Sequence, residues 1–130
     1  MIDNIFEFVT NGTNVEIPTW IAIKQDIELK IICGEYVAGE RIPPIRKIAE
    51  IYNIGTSTAA KTLETLSSEG TLYKKRGVGY FVKPYVKENL CKEHKKNLEK
   101  ILLNALTYAD IIGVDLLKLV SIIYKTRNEQ

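Results

Sequence analysis

Apolar residues recur at helical spacing in the first half of the chain. Trp20, Ile23, Ile27 and Ile31 fall on one side of a helix that opens at Pro18 and Thr19 and runs to about Cys33. Gly34 suits the left-handed position that stops a helix, and the glycine and two prolines of EYVAGERIPP forbid its continuation. From Ile45 a second helix places Ile45, Ile48, Ala49 and Tyr52 on one side and ends near Asn53, which tolerates the left-handed conformation. A third, capped by Gly55 or Thr56, buries Ala59, Leu63 and Leu66 before Gly70 closes it. Two short helices joined by about three residues make a helix-turn-helix.

The pattern then changes. TLYKK and GYFVK are rich in β-formers and flank Arg76, Gly77, Val78 and Gly79, which predicts a hairpin whose glycines supply positive φ in the turn. Pro84 breaks the second strand. From about Glu88 a long amphipathic helix carries Leu90, Leu98, Ile101, Leu102, Ala105, Ala109 and Ile112 and ends at Gly113. Asp115 can cap a last helix with Leu116, Leu119, Val120 and Ile123 on its apolar side. The expected fold is therefore mainly α with a small β-hairpin wing: a winged helix-turn-helix domain followed by a C-terminal two-helix dimerisation hairpin. The parts are an unassigned arm at residues 1–17, a winged domain at 18–84 and a helical tail at 85–130.

Composition narrows the class. At 130 residues there is room for one domain and a helical appendage, and 45% hydrophobic with 26% charged residues is ordinary for a globular protein. No apolar run approaches the roughly 18 residues that a spanning helix needs, and the N-terminus has acids where a secretory signal carries bases. The expectation is a cytoplasmic protein with no membrane partner. Cys33 and Cys91 lie far apart and His94 is the only histidine, so neither a zinc site nor a disulfide framework is written here, and two buried thiols are expected. The Asn11-Gly12-Thr13 sequon means nothing to a cytoplasmic chain.

The net charge of +2 says little, but its distribution says more. Residues 1–40 hold two lysines against seven acids, whereas 41–83 hold eight cations against Glu50, Glu64 and Glu69. A basic block can be a solvated face. It can also be the electrostatic footprint of a nucleic acid.

A recognition helix must fit the major groove, so its outward residues should be polar, small or basic. Here they are Thr56, Ser57, Ala60, Lys61 and Glu64. Small side chains let the backbone approach a duplex, and Lys61 can reach a phosphate or a guanine edge. Taken alone, the same residues read as a solvated helix face. Arg46, at the start of the second helix, can join the helix N-terminus in holding a phosphate, or pair with Glu50 one turn on. Lys74, Lys75 and Arg76 lead into the wing turn beside Gly77. No catalytic constellation is present: His94 fits packing better than general-base work, and GVGY lies in a hairpin with no helix following to cradle phosphate. No enzyme activity and no cofactor are expected.

GEYVAGERIPPIRKIAE, the interval to LETLSSEG, and YKKRGVGYFV occur in order and register between residues 34 and 82, the strongest stretches of a resemblance that spans roughly residues 18–127. In that arrangement the chain resembles the GntR family of bacterial regulators, and within it the short YtrA-like branch. The resemblance implies that Arg46 contacts DNA backbone, that Ser57, Thr58 and Lys61 fall on recognition-helix contacts, and that Gly77 is the wing glycine. Ile-Pro-Pro-Ile-Arg departs from the usual Pro-Ser-x-Arg, and Gly55, Thr56 and Ala60 replace longer contact residues. Each bidentate base contact absent forfeits about 1 to 3 kcal/mol of discrimination. The family's operator is therefore not carried over.

The resulting expectation is a DNA-binding transcription regulator, in the first place a repressor, that reads a near-palindromic operator as a homodimer. A small-molecule effector is admitted but not required. The DNA-contact candidates are Arg46, Thr56, Ser57, Thr58, Lys61, Lys75, Arg76 and Gly77. The interface candidates are Leu98, Ile101, Leu102, Ala105, Leu116, Leu119, Val120 and Ile123, because a two-helix tail cannot bury apolar stripes on both helices by itself. The alternative is a winged-helix protein-interaction module whose reading surface has drifted, with little specific DNA binding.

Overall fold

The computed structural model describes residues 17–129. Most of the N-terminal arm, with its sequon, lies outside them. The described elements are α1 (Thr19–Ile32), α2 (Ile45–Tyr52), α3 (Thr56–Ser68), β1 (Leu72–Lys75), β2 (Gly79–Val82), α4 (Lys87–Ile112) and α5 (Leu116–Asn128). The chain divides into two units between Glu93 and His94, with α4 beginning in the first and ending in the second.

In the first unit the apolar stripes meet as their spacing demands. Ile23, Ile27 and Ile31 from α1, Ile48 and Ala49 from α2, and Ala59, Leu63 and Leu66 from α3 form one core, closed by Leu72, Tyr80 and Val82 of the hairpin and Leu90 of α4. Helix α3 is central, packing against α1, α2 and β1. Asn53 ends α2 with φ 52°, the left-handed cap expected of it.

β1 and β2 pair antiparallel, Leu72 opposite Val82 and Lys75 opposite Gly79. Gly79 therefore belongs to the strand, and the turn is Arg76–Gly77–Val78, closed by the Val78 N–H donating to the Lys75 carbonyl at 2.9 Å. The other edge of β2 is covered by the segment before α2. Arg41 bridges to Phe81, the Ile42 N–H donates to the Tyr80 carbonyl, and the Val82 N–H donates to the Glu40 carbonyl, both at 3.0 Å. That segment reads in sequence only as a loop. Its extended form follows from Pro43 and Pro44, since a residue before proline is driven out of helical space.

Two polar clasps hold the helices, and periodicity does not show them. Asp26, nearly fully buried on α1, accepts a hydrogen bond from the Tyr52 hydroxyl at the end of α2, with the Lys30 ammonium 3.7 Å away. Lys24 bridges the buried Glu28 at 3.1 Å and Glu69, just beyond α3, at 3.0 Å. Burial, and then donation to Asp26, pushes the Tyr52 hydroxyl far above its ordinary value. A phenol whose folded-state pKa is raised contributes stability that is complete below its unfolded value, about 10, and is lost as pH rises above it. Urea midpoints should therefore fall from about pH 10 upward, and Tyr52→Phe should flatten that fall. The same change removes a donor from a buried carboxylate and should cost about 1 to 3 kcal/mol at neutral pH. An alkaline limb identical in native and variant would exclude this role.

Cys33 and Cys91 are exposed, not buried. Cys33 lies just past the last buried turn of α1, and Cys91 is one residue off the buried Leu90, hence turned about 100° away on the helix.

In the second unit Asp115 caps α5 as expected, its carboxylate accepting from the Lys118 N–H at 3.2 Å. Ala109 is the one buried side chain among the described residues 94–129, and α5 buries none.

Candidate nucleic-acid interface

Helices α2 and α3 both start without a side-chain cap, from Pro44 and Gly55 respectively. Their first N–H groups thus have no partner from a capping side chain, and an uncapped helix start favours an anion. Arg46 is exposed in the first turn of α2. Glu50, its conceivable partner, pairs instead with Lys47 at 3.7 Å. Arg46 has no ion pair among the described residues.

On α3, Thr56, Ser57 and Lys61 are exposed and Ala60 is half-buried. Thr58 is also half-buried, and its carbonyl accepts the Thr62 hydroxyl at 2.9 Å. The Lys61 ammonium sits 4.6 Å from the centre of the Trp20 ring. Trp20, expected in the core, is only half-buried and gives the lysine an aromatic seat. Nothing in the spacing of Trp20 distinguishes this role from a core one.

The wing has two faces. Leu72, Tyr80 and Val82 point into the core, while Tyr73 and Phe81 stack on the other face, with ring centres 5.4 Å apart and planes 15° from parallel. The Lys75 ammonium lies 4.6 Å from the Phe81 ring centre. Lys74, Lys75 and Arg76 are exposed, and Gly77 takes φ 74° in the turn, where a side chain would be strained. Sequence reasoning missed Arg41 as a member of this surface. It is exposed, on the strand-like segment beside β2, and its Nε would lie 2.8 Å from a Cβ placed on Gly79.

The interface candidates of the tail remain open to solvent. Leu98, Leu102, Leu119, Val120 and Ile123 are exposed, and Ile101, Ala105 and Leu116 are half-buried. Among the described residues no helix is long and apolar enough to cross a membrane.

Three helices with a two-stranded wing behind the last of them define a winged helix-turn-helix domain. Residues 21–82 match the model of the bacterial regulatory proteins of the gntR family. A curated relative, the arabinose metabolism transcriptional repressor of Geobacillus stearothermophilus, is 36% identical over 75 residues, 57% of this chain and 21% of the repressor. The chain thus matches only about a fifth of that relative's length. Among solved structures, a GntR family transcriptional regulator from Listeria monocytogenes superposes with a TM-score of 0.68 at 21% identity, over 87% of this chain and 98% of the other. The AraR DNA-binding domain, solved in complex with operator ORX1, gives 0.51 at 26% identity over 54% of this chain and 84% of the other. YtrA from Sulfolobus acidocaldarius, a GntR-family transcription factor, gives 0.52 at 26% identity over 72% and 92%.

Proposed function

We propose that this protein is a transcription regulator of the GntR type that binds double-stranded DNA and not an enzyme. The observation that carries the reading is the disposition of α3. Its buried side is held by α1, α2 and β1, while Thr56, Ser57 and Lys61 stay exposed at an uncapped start beside a basic wing. Thr56 and Ser57 approach the major groove, Lys61 reaches phosphate or guanine, Arg46 fixes the backbone, and Lys75, Arg76 and Gly77 place the wing against the duplex. The likeness to an operator-bound domain supports this assignment.

Residues 85–130 pair with a second copy, so that two reading heads at 18–84 meet dyad-related half-sites of a near-palindromic operator. Support comes from α5, which buries no side chain within its own chain. Binding acts in the cytoplasm as repression, as the name of the Geobacillus relative suggests. The tail is of the short YtrA-like kind, and an effector is not required by the reading. A second reading, a protein-interaction module, is favoured by one feature: Gly55 and Ala60 offer no polar group for bases.

The test is recovery of random genomic fragments at two salt concentrations by the native chain and by an Arg46→Ala, Lys61→Ala double variant. The expected result is a short dyad-symmetric motif, weakened by salt and lost in the variant. Each phosphate contact removed lowers the salt slope by about one. Motif-free recovery that is the same for both proteins overturns operator reading and leaves the interaction module.

A further inference from the structure

We propose that Arg41 and Lys75 form a phosphate-gripping notch on the outer face of the wing, with Gly79 as its floor. The proposal rests on the DNA-binding reading above and adds a contact outside the recognition helix and the wing turn.

The geometry follows from strand register. Lys75 is the direct cross-strand partner of Gly79, and Arg41 is the bridge partner of Phe81 on the opposite edge of β2. Paired residues share a face, and residues two apart on one strand do too, so Lys75, Gly79, Phe81 and Arg41 lie on one side of the sheet. The two cations thus flank Gly79 from either side. The Arg41 side chain crosses the glycine itself: a Cβ there would stand 2.8 Å from Nε and 3.4 Å from Cζ and Nη2. Lys75 leans over Phe81 at 4.6 Å. The missing side chain leaves the room in which the Arg41 guanidinium lies across the strand, and a stacked aromatic pair flanks it.

Charge says what the notch holds. Both cations are exposed, and neither has an ion pair among the described residues. Two like charges on one face of a small sheet repel. An anion between them removes that cost. A guanidinium offers a planar fork of donors and an ammonium a point charge, the two modes by which proteins hold phosphate. Arg76, in the adjoining turn, carries the positive charge beyond the notch, as a polyanion requires and a single free phosphate does not. The occupant is a backbone phosphate of DNA.

The experiment measures the affinity of a labelled, short, mixed-sequence duplex as salt is varied, for the full chain, Arg41→Ala, Arg41→Lys and Arg46→Ala. Arg41→Ala should bind about three- to tenfold more weakly at moderate salt and lower the logarithmic salt slope by about one. Arg41→Lys should recover the slope, which a purely structural role for the guanidinium would not. Inorganic phosphate at constant ionic strength should leave duplex binding unchanged. The notch alone is overturned if Arg46→Ala weakens binding while Arg41→Ala keeps native affinity and slope, if Arg41→Lys fails to restore the slope, or if free phosphate competes. Absence of duplex binding by the native chain overturns both the notch and the reading beneath it.

Discussion

Placing glutamate at both Leu119 and Ile123 is expected to convert the proposed dimer into monomers and to weaken binding to a two-half-site duplex by about a hundredfold or more. The residues are four apart on α5, so they share one face, and they are 42% and 55% exposed. In the isolated chain the substitutions meet water and should leave the winged domain intact. In an apolar interface each carboxylate loses its hydration without gaining a partner, which costs several kcal/mol. Separation of the heads then forfeits the effective concentration that lets the second half-site bind as an intramolecular event, a gain of about 10² to 10⁴. Light scattering with size-exclusion chromatography reads the first effect and duplex titration the second. A variant that stays dimeric would place the interface elsewhere, and one that turns monomeric without losing affinity would show that the heads read independently.

Leu63→Ala should be among the most damaging truncations in the winged domain. Leu63 is fully buried on α3, in the core shared with α1, α2 and the hairpin. Truncation removes apolar contacts on several sides and leaves a cavity that helices fixed by the Asp26–Tyr52 and Lys24–Glu69 clasps cannot readily close. Leucine-to-alanine changes of this kind cost about 2 to 5 kcal/mol, against about 5 to 15 kcal/mol for a whole domain. Urea unfolding should show a lowered midpoint with little change in slope. A loss under about 1 kcal/mol would mean that α3 repacks, and that its placement is less rigidly determined than the core implies.

The core of the winged domain was written in the spacing of Ile23, Ile27, Ile31, Ala59, Leu63 and Leu66, because burial against a single neighbour requires a one-sided stripe. The caps at Asn53 and Asp115 were legible for an equally local reason, one backbone conformation and one side-chain acceptor. Contacts between distant segments were not. Arg41 meets Phe81 only after α2, α3 and β1 have intervened, and Asp26 looks like a surface carboxylate until Tyr52 arrives from another helix. Trp20 fits the α1 stripe so well that its second use, as a seat for Lys61, leaves no mark in the pattern. The cysteines failed for a statistical reason: the burial habit of a residue type says nothing about which side of a helix it occupies. On the candidate surface, the sequence named residue types that suit DNA, and the structure adds which of them stand exposed together.

The wing also bears on how the protein avoids aggregating. β2 has both edges occupied, by β1 and by the segment through Arg41, whereas β1 keeps an edge with no strand beside it among the described residues. An open edge is a template for pairing with a foreign strand, and lysines on it are a common deterrent. Lys74 and Lys75 occupy half of β1. The charges proposed to hold DNA therefore also keep the hairpin from recruiting another chain, so neutralising them to weaken binding carries a separate cost in solubility.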